Sequence, residues 1–183
     1  MKLLLLYTSH HGQTEKIINR IHAELANKYD CDVIKLHEKL EINLENYQAV
    51  ILGTSIHYGF YSKVMIKFIK KNYIQLNQKI SAFFGVNLIA RKLDKNTPET
   101  NIYTKKFLDK ISWQPTLKYV FAGALYYPRY NWFDRNAIRF IMWIGNGDTD
   151  ISKTVIEFTD WNKVNEFTKK FDELLVKKTD FFK

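Results

Sequence analysis

Leu3-Leu4-Leu5-Leu6-Tyr7-Thr8-Ser9-His10-His11-Gly12-Gln13-Thr14 is the stretch on which the reading of this chain turns. An apolar run of the kind found in a buried strand meets a loop rich in hydroxyls, and an amphipathic helix begins at its end. A strand that stops at such a loop and resumes as a helix gathers unpaired backbone N–H groups and the positive end of the helix dipole around one point, which suits a phosphate. Two common nucleotide loops are excluded. There is no Gly-x-Gly-x-x-Gly for a dinucleotide pyrophosphate, and Gly12 is followed by Gln13 rather than by the Lys of a triphosphate loop. The hydroxyls of Thr8, Ser9 and Thr14 around Gly12 suit a single terminal phosphate monoester. An ordinary strand-to-helix turn capped by Thr14 accounts for the same residues equally well, so the loop alone leaves both readings open.

Outward from this stretch, strand-like and helix-like segments alternate, the sequence form of a parallel sheet covered on both faces. Strands are expected at Lys2–Tyr7, Asp32–Leu36, Ala49–Gly53, Ile80–Asn87 and Leu117–Ala124, with helices at about Thr14–Tyr29, Ser62–Tyr73, Glu99–Ile111 and Asn162–Lys177. The first helix has Ile17, Ile18, Ile21 and Leu25 on one side and Lys16, Asn19, Arg20 and Glu24 on the other, a plain helical period. This is an α/β chain. Its five parallel strands fit the flavodoxin-like order 2-1-3-4-5, whose ligand site lies at the carboxyl ends of the strands near the switch between the first and third.

The 183 residues fit one domain with a sizeable core. An insertion of about 126–154 interrupts the last strand: Tyr126-Tyr127-Pro128-Arg129-Tyr130-Asn131-Trp132-Phe133-Asp134-Arg135, a short helix to about Ile144, the turn Gly145-Asn146-Gly147-Asp148, then strand-like Thr154–Thr159. The apolar block at the N-terminus is too short for a signal peptide, and no apolar run is long enough to cross a bilayer. Cys31 is the single cysteine, in an expected core strand, so no disulfide forms within the chain and a reducing cytoplasm is the natural setting. The net charge of +9 rests mainly on Lys, an abundance that genome composition can produce. The arginines say more: Arg129, Arg135 and Arg139 fall close together among aromatics. Such a chain favours anionic partners. A nucleic-acid role would rest on charge alone, and none is expected.

Three loops meet at the expected site. After the third strand comes Thr54-Ser55-Ile56-His57-Tyr58-Gly59, where Gly59 permits a tight turn and His57 and Tyr58 can lie beside a flat ring. After the fourth comes Val86-Asn87-Leu88-Ile89-Ala90-Arg91-Lys92, offering backbone amides, the Asn87 side chain and two cations. A flavin needs hydrogen bonds at its pyrimidine edge, and a cation there would stabilise its anionic reduced form. Tyr58 also reads as a packing staple, and Arg91 and Lys92 as solvated surface. His10 and His11 are adjacent, so their side chains need not converge, while His22 and His37 fall at expected surface positions. No metal-ligand spacing is present and no metal is expected. There is no nucleophile, base and orienter set for hydrolysis, and the acidic pair of a phosphorylated receiver domain is missing.

The helical projection of Asn131–Ile144 puts Arg135, Asn136 and Arg139 on one face, flanked by Trp132 and Trp143. Phe133, Ala137, Phe140, Ile141 and Ile144 form the other. Basic, aromatic and amphipathic together suit a helix at a membrane surface or over a flat anionic ligand, although a lid helix packed on the protein's own core shares the pattern. Tyr126, Tyr127, Arg129 and Tyr130 beside it favour an interaction surface.

Thr-x-x-x-Gly-x-Thr over Thr8–Thr14 resembles the flavin mononucleotide (FMN) loop of flavodoxins. His11 stands directly before Gly12, where a carrier flavodoxin usually has Thr, so one hydroxyl contact to the phosphate is missing from the pattern and a histidinium could replace it. Carrier flavodoxins are usually acidic, against the charge found here. Thr-Ser-Ile-His-Tyr-Gly, Val-Asn-Leu-Ile-Ala-Arg-Lys, Ala-Gly-Ala-Leu-Tyr-Tyr-Pro-Arg-Tyr-Asn-Trp-Phe-Asp-Arg and the Thr159-Asp160-Trp161 triplet extend the likeness across essentially the whole chain. Together they resemble the menaquinone-dependent protoporphyrinogen oxidase family. That resemblance implies bound FMN and dehydrogenation of protoporphyrinogen IX to protoporphyrin IX, with electrons passed to menaquinone or ubiquinone. It also implies peripheral attachment to the anionic cytoplasmic face of a bacterial inner membrane. Thr8 to Thr14 would hold the phosphate, and Thr54–Gly59 with Val86, Asn87, Leu88, Ala90 and Arg91 the ring. Arg91, Arg129, Tyr130, Trp132, Arg135, Arg139 and Trp143 are candidates for docking porphyrinogen propionates or membrane, since Arg grips carboxylates bidentately. No residue is assigned as general base. A soluble electron-carrier flavodoxin and an NAD(P)H:quinone reductase are the rival functions.

Overall fold

Leu3, Leu4, Leu5 and Leu6 are all fully buried although successive strand side chains point to opposite faces, so both faces of the sheet are covered. The computed structural model describes residues 1–126 and 155–180. In it β1 (Lys2–Thr8) lies between β2 (Asp30–Lys35) and β3 (Ala49–His57), and β3 is followed outward by two more long strands. Between β3 and these comes β4 (Phe60–Tyr61), a two-residue strand antiparallel to the end of β3. The remaining long strands are β5 (Ile80–Asn87) and β6 (Leu117–Ala122), both parallel to β3. Leaving the short β4 aside, the long strands run in the order 2-1-3-4-5, as the alternation of segments predicts.

On one face, α1 (Gln13–Leu25) and the last helix, here α4 (Trp161–Asp180), cover the sheet: Ile17, Ile18 and Ile21 pack with Leu3, Leu5, Phe84, Phe167 and Phe171. On the other, α2 (Lys63–Asn77) and α3 (Ile102–Leu108) bring Met65, Ile69 and Phe107 against Leu4, Leu6, Leu52 and Phe83. Trp113 is fully buried in this second layer, and its indole N–H donates to Ser81 Oγ at 2.9 Å, so its polar edge is satisfied. Asp160 starts α4 by accepting hydrogen bonds from the backbone N–H groups of Asn162 and Lys163 at 3.0 and 3.2 Å. Among the described residues no helix is long and apolar enough to cross a membrane.

Element ends depart from expectation for identifiable reasons. β3 continues past Gly53 to His57 because the pairs Ile56↔Tyr61 and His57↔Phe60 give it a partner beyond the parallel sheet. α1 stops at Leu25 rather than Tyr29, since the N–H groups of Lys28 and Tyr29 both turn back to the Leu25 carbonyl. α3 begins late, at Ile102, because the buried side chain of Asn101 caps it by accepting from Thr104 N. The fifth long strand ends at Ala122: Gly123 donates to the Asn87 carbonyl, and β7 (Ala124–Leu125) then pairs antiparallel with β8 (Ile156–Glu157). The chain thus leaves and re-enters the domain side by side, and its return is a two-residue rung rather than a longer strand.

Gly53 and Phe84 are register partners on β3 and β5, and the Phe84 ring lies where a Cβ on residue 53 would stand. Glycine at this strand position lets an aromatic ring close over the backbone. Gly53→Ala is expected to lower stability by about 1–3 kcal/mol through overpacking, read from the urea midpoint. An unchanged midpoint would mean that the ring has room to move aside.

Candidate functional site

The loops after β1, β3 and β5 border a cleft of about 300 Å³ at the carboxyl ends of the strands. Its floor is pinned by two threonines: Thr8 and Thr54 are register partners, both buried, and their hydroxyls share a hydrogen bond of 2.8 Å. Neither lines the cleft, so both hold the two loops together from below. Above Thr8, Ser9 Oγ accepts from Gly12 N at 3.0 Å, and Gly12 takes a left-handed conformation with φ of 102°. That φ is open to glycine at no steric cost and turns the chain into α1 in one step.

Gly12 occupies the N-cap position and brings no side-chain hydrogen bond to the first turn. Thr14, fully buried and lining the cleft, is not the cap that an ordinary turn would make of it. Among the described residues its Oγ1 is the one buried side-chain oxygen or nitrogen without a hydrogen-bond partner. A helix N-terminus with an unpartnered hydroxyl beside it is a set of donors that suits an anion. Gln13 does something different: its Nε2 donates to Thr159 Oγ1 at 2.8 Å and to Glu157 Oε1 at 3.0 Å, while its Oε1 accepts from the Tyr126 hydroxyl at 2.6 Å. Lys16, one turn further, is held above its ordinary pKa by Tyr126 first and Glu157 second.

The second wall is the hairpin between β3 and β4. Its two central residues, Tyr58 and Gly59, have φ of 49° and 81°, the positive pair of a type I′ turn. Ser55, Ile56, His57, Tyr58 and Gly59 all line the cleft. Tyr58 and Phe60 stand 70% and 76% exposed at this edge. Below them the Tyr61 hydroxyl shares a 2.7 Å hydrogen bond with Thr104 Oγ1, and burial raises its phenol well above the ordinary value.

From the third loop Val86, Asn87 and Leu88 reach the cleft. The Asn87 side chain, expected to meet the ligand, is engaged in structure. Its Oδ1 accepts from Ala90 N and from Asn101 Nδ2, both at 3.1 Å, and its Nδ2 donates to Asn101 Oδ1 at 3.3 Å. Ala90 is buried against Val120 and Ala122 instead of lining the cleft. Arg91 also turns away. Its Nη1 donates to the Leu88 carbonyl at 3.0 Å, and its guanidinium lies 5.8 Å from the centre of the Phe158 ring. The half-buried guanidinium thus closes its own turn and rests against an aromatic face. Ile89 of the same loop lines the cleft as well, and Tyr103, Gly123 and Ala124, which were not foreseen, complete it. Asn101, capping α3 two residues before Tyr103, is the sequence signal that could have placed that ring. Arg129, Tyr130, Trp132, Arg135, Arg139 and Trp143 lie outside the described residues.

The histidines do converge. The ring centres of His10 and His57 are 3.7 Å apart, those of His10 and His11 4.6 Å, and those of His11 and His57 5.8 Å. Adjacency of His10 and His11 concealed this, because the third ring arrives from another strand.

A family model described as a flavodoxin domain matches residues 4–152. The chain is 47% identical over 175 residues to a Leishmania major protein named protoporphyrinogen IX dehydrogenase (quinone), covering 94% of this chain and 75% of that one. It is 43% identical over 180 residues to the protein of the same name from Escherichia coli (strain K12), covering 98% of this chain and 99% of that one. Among solved structures, oxidised Flavodoxin 2 from Bacillus cereus is 22% identical with a TM-score of 0.47, over 80% of this chain and 99% of its own. The near-complete cover by the two named relatives, on a sheet of flavodoxin order, means that this chain belongs to the quinone-type protoporphyrinogen IX dehydrogenase family of flavodoxin-domain oxidoreductases.

Proposed function

We propose that this protein binds FMN in the cleft at the ends of β1, β3 and β5 and dehydrogenates protoporphyrinogen IX to protoporphyrin IX, with menaquinone or ubiquinone as acceptor. The carrying observation is the buried, unpartnered Thr14 Oγ1 at the start of α1. A phosphate monoester supplies the acceptor that this hydroxyl lacks, next to helix amides that favour a dianion. Ser9, Gly12 and Thr14 would hold the phosphate, with Ser55–Gly59 and Val86–Leu88 bordering the ring. The relatives' printed name supports the substrate and the acceptor class.

The bound flavin supplies two-electron exchange between donor and acceptor. Six electrons and six protons leave the porphyrinogen, which balances three quinones reduced to three quinols. What the chain contributes is placement. The Tyr58-Gly59 hairpin presents an aromatic face at the cleft, and the Thr8–Thr54 bond fixes that hairpin against the phosphate loop. The insertion at 127–154 contributes Arg129, Arg135 and Arg139, which suit the two propionates of the substrate and the anionic headgroups of a membrane. We assign the protein to the cytoplasmic face of a bacterial inner membrane, attached peripherally, where a long-tailed quinone is available.

Thr14→Val keeps the shape of the side chain and removes the hydroxyl. FMN should then bind roughly 10- to 100-fold more weakly, the equivalent of one lost hydrogen bond to a charged group. The FMN-free protein should be no less stable, since the lost hydroxyl had no partner. A chain that takes up no FMN in titration, or a variant that binds it as tightly as the parent, would sink the cofactor reading.

The combined change Arg135→Gln and Arg139→Gln should leave FMN content intact. Each basic contact to an anionic surface is worth about 1 kcal/mol, so association with anionic vesicles should fall roughly 30-fold, with turnover of protoporphyrinogen against a menaquinone analogue falling alongside. Anaerobic turnover and vesicle co-sedimentation measure the two arms. If both stay at parental levels, the insertion has no part in either step.

A further inference from the structure

We propose that His10, His11 and His57 form a binding site for a late first-row divalent cation of the zinc class. One nitrogen from each ring can be chosen so that the three lie within 4.8 Å of one another. All three residues line the same cleft. Imidazole suits zinc, cobalt, nickel and copper, and a zinc-like ion binds histidine nitrogen at about 2.0–2.1 Å. Three nitrogens around such an ion stand closer together than they do here, so the rings must draw in by roughly an ångström. The structure allows this. His10 is exposed at the tip of its loop, and His57 directly precedes the Tyr58-Gly59 turn.

What makes the cluster a site rather than a chance meeting is the support beneath it. His10 and His57 follow Thr8 and Thr54 by two and three residues, and the buried hydroxyl pair between those threonines fixes how far apart the two loops can be. The Ser9 Oγ to Gly12 N bond closes the loop that carries His10 and His11. Ligands brought in from two strand ends with their separation set in advance lose little freedom on binding. Three protein nitrogens leave a fourth position, which opens on the cleft as in sites that accept a water or a substrate atom. The three rings stand on the loops assigned above to FMN, so the ion and the flavin are expected to compete for this part of the cleft, and the inference concerns the cleft free of flavin.

The test uses the protein freed of any flavin and without an affinity tag, titrated with Co2+ and followed by its visible d–d bands and by calorimetry. One Co2+ per chain is expected, in a nitrogen-ligated tetrahedral field, and Zn2+ should displace it. His10→Asn and His57→Asn should each weaken binding by about tenfold or more, whereas His37→Asn, at an exposed position away from the cleft, should leave it unchanged. His10 is exposed, so its replacement leaves the fold in place even if that of His57 does not. No saturable binding, or binding indifferent to the loss of His10, overturns the proposal.

Discussion

The side chain of Gln13 holds the two ends of the insertion to the start of α1. It is buried, and its three hydrogen bonds reach Tyr126 on one side of residues 127–154 and Glu157 and Thr159 on the other. Thr159 in turn donates to the Ala122 carbonyl at 2.7 Å, where the fifth long strand stops. One carboxamide therefore couples the first loop of the sheet to the last. Any change in the insertion's exit must be felt at the residue between Gly12 and Thr14, because a buried amide that loses its partners costs about 1–3 kcal/mol.

The same logic runs beneath the other loops. Thr8 with Thr54, at the ends of neighbouring strands, and Asn87 at the end of β5 with Asn101 at the cap of α3, form buried polar pairs satisfied within the protein. Parallel strands diverge at their carboxyl ends, and without such pairs the loops above would be free to splay. Against this background of satisfied groups, the single orphan at Thr14 Oγ1 carries information. Among the described residues the other buried side-chain polar atoms are paired, and the hydroxyl at the start of α1 is the one left without a partner.

The sheet order was legible because burial on both faces imposes continuous apolar strands, and Leu3 to Leu6 can hardly be read otherwise. Strand and helix ends were not legible, since distant residues decide them: β4 lengthens β3, and Asn101 shortens α3. The site divided along the same line. Loop residues such as Ser9, Thr14, Ser55 and Tyr58 reach the cleft because their position after a strand puts them there. Ala90 and Arg91 follow a strand too, but a 3-10 turn at Leu88–Arg91 folds this segment back on itself, and Asn87, which does border the cleft, commits its side-chain amide to Ala90 N and Asn101. Tyr103 and Ala124 come from elements that the cleft borrows through tertiary packing, which no local pattern announces.

The hairpin at residues 58 and 59 also bears on what the cleft is for. A tyrosine with a positive φ is held in a backbone region that disfavours any side chain with a Cβ, at a cost of about 1–3 kcal/mol. Glycine or asparagine would make the same turn with less strain. The hydrophobic effect gives no compensation in the free chain, because Tyr58 and its neighbour Phe60 are mostly in water. Backbone strain and exposed aromatic surface are thus concentrated at one edge of the cleft, directly beside His57. A flat apolar partner over the rings would lower the second cost and leave the first, so it is the exposed aromatic surface at this edge that a planar ligand would cover.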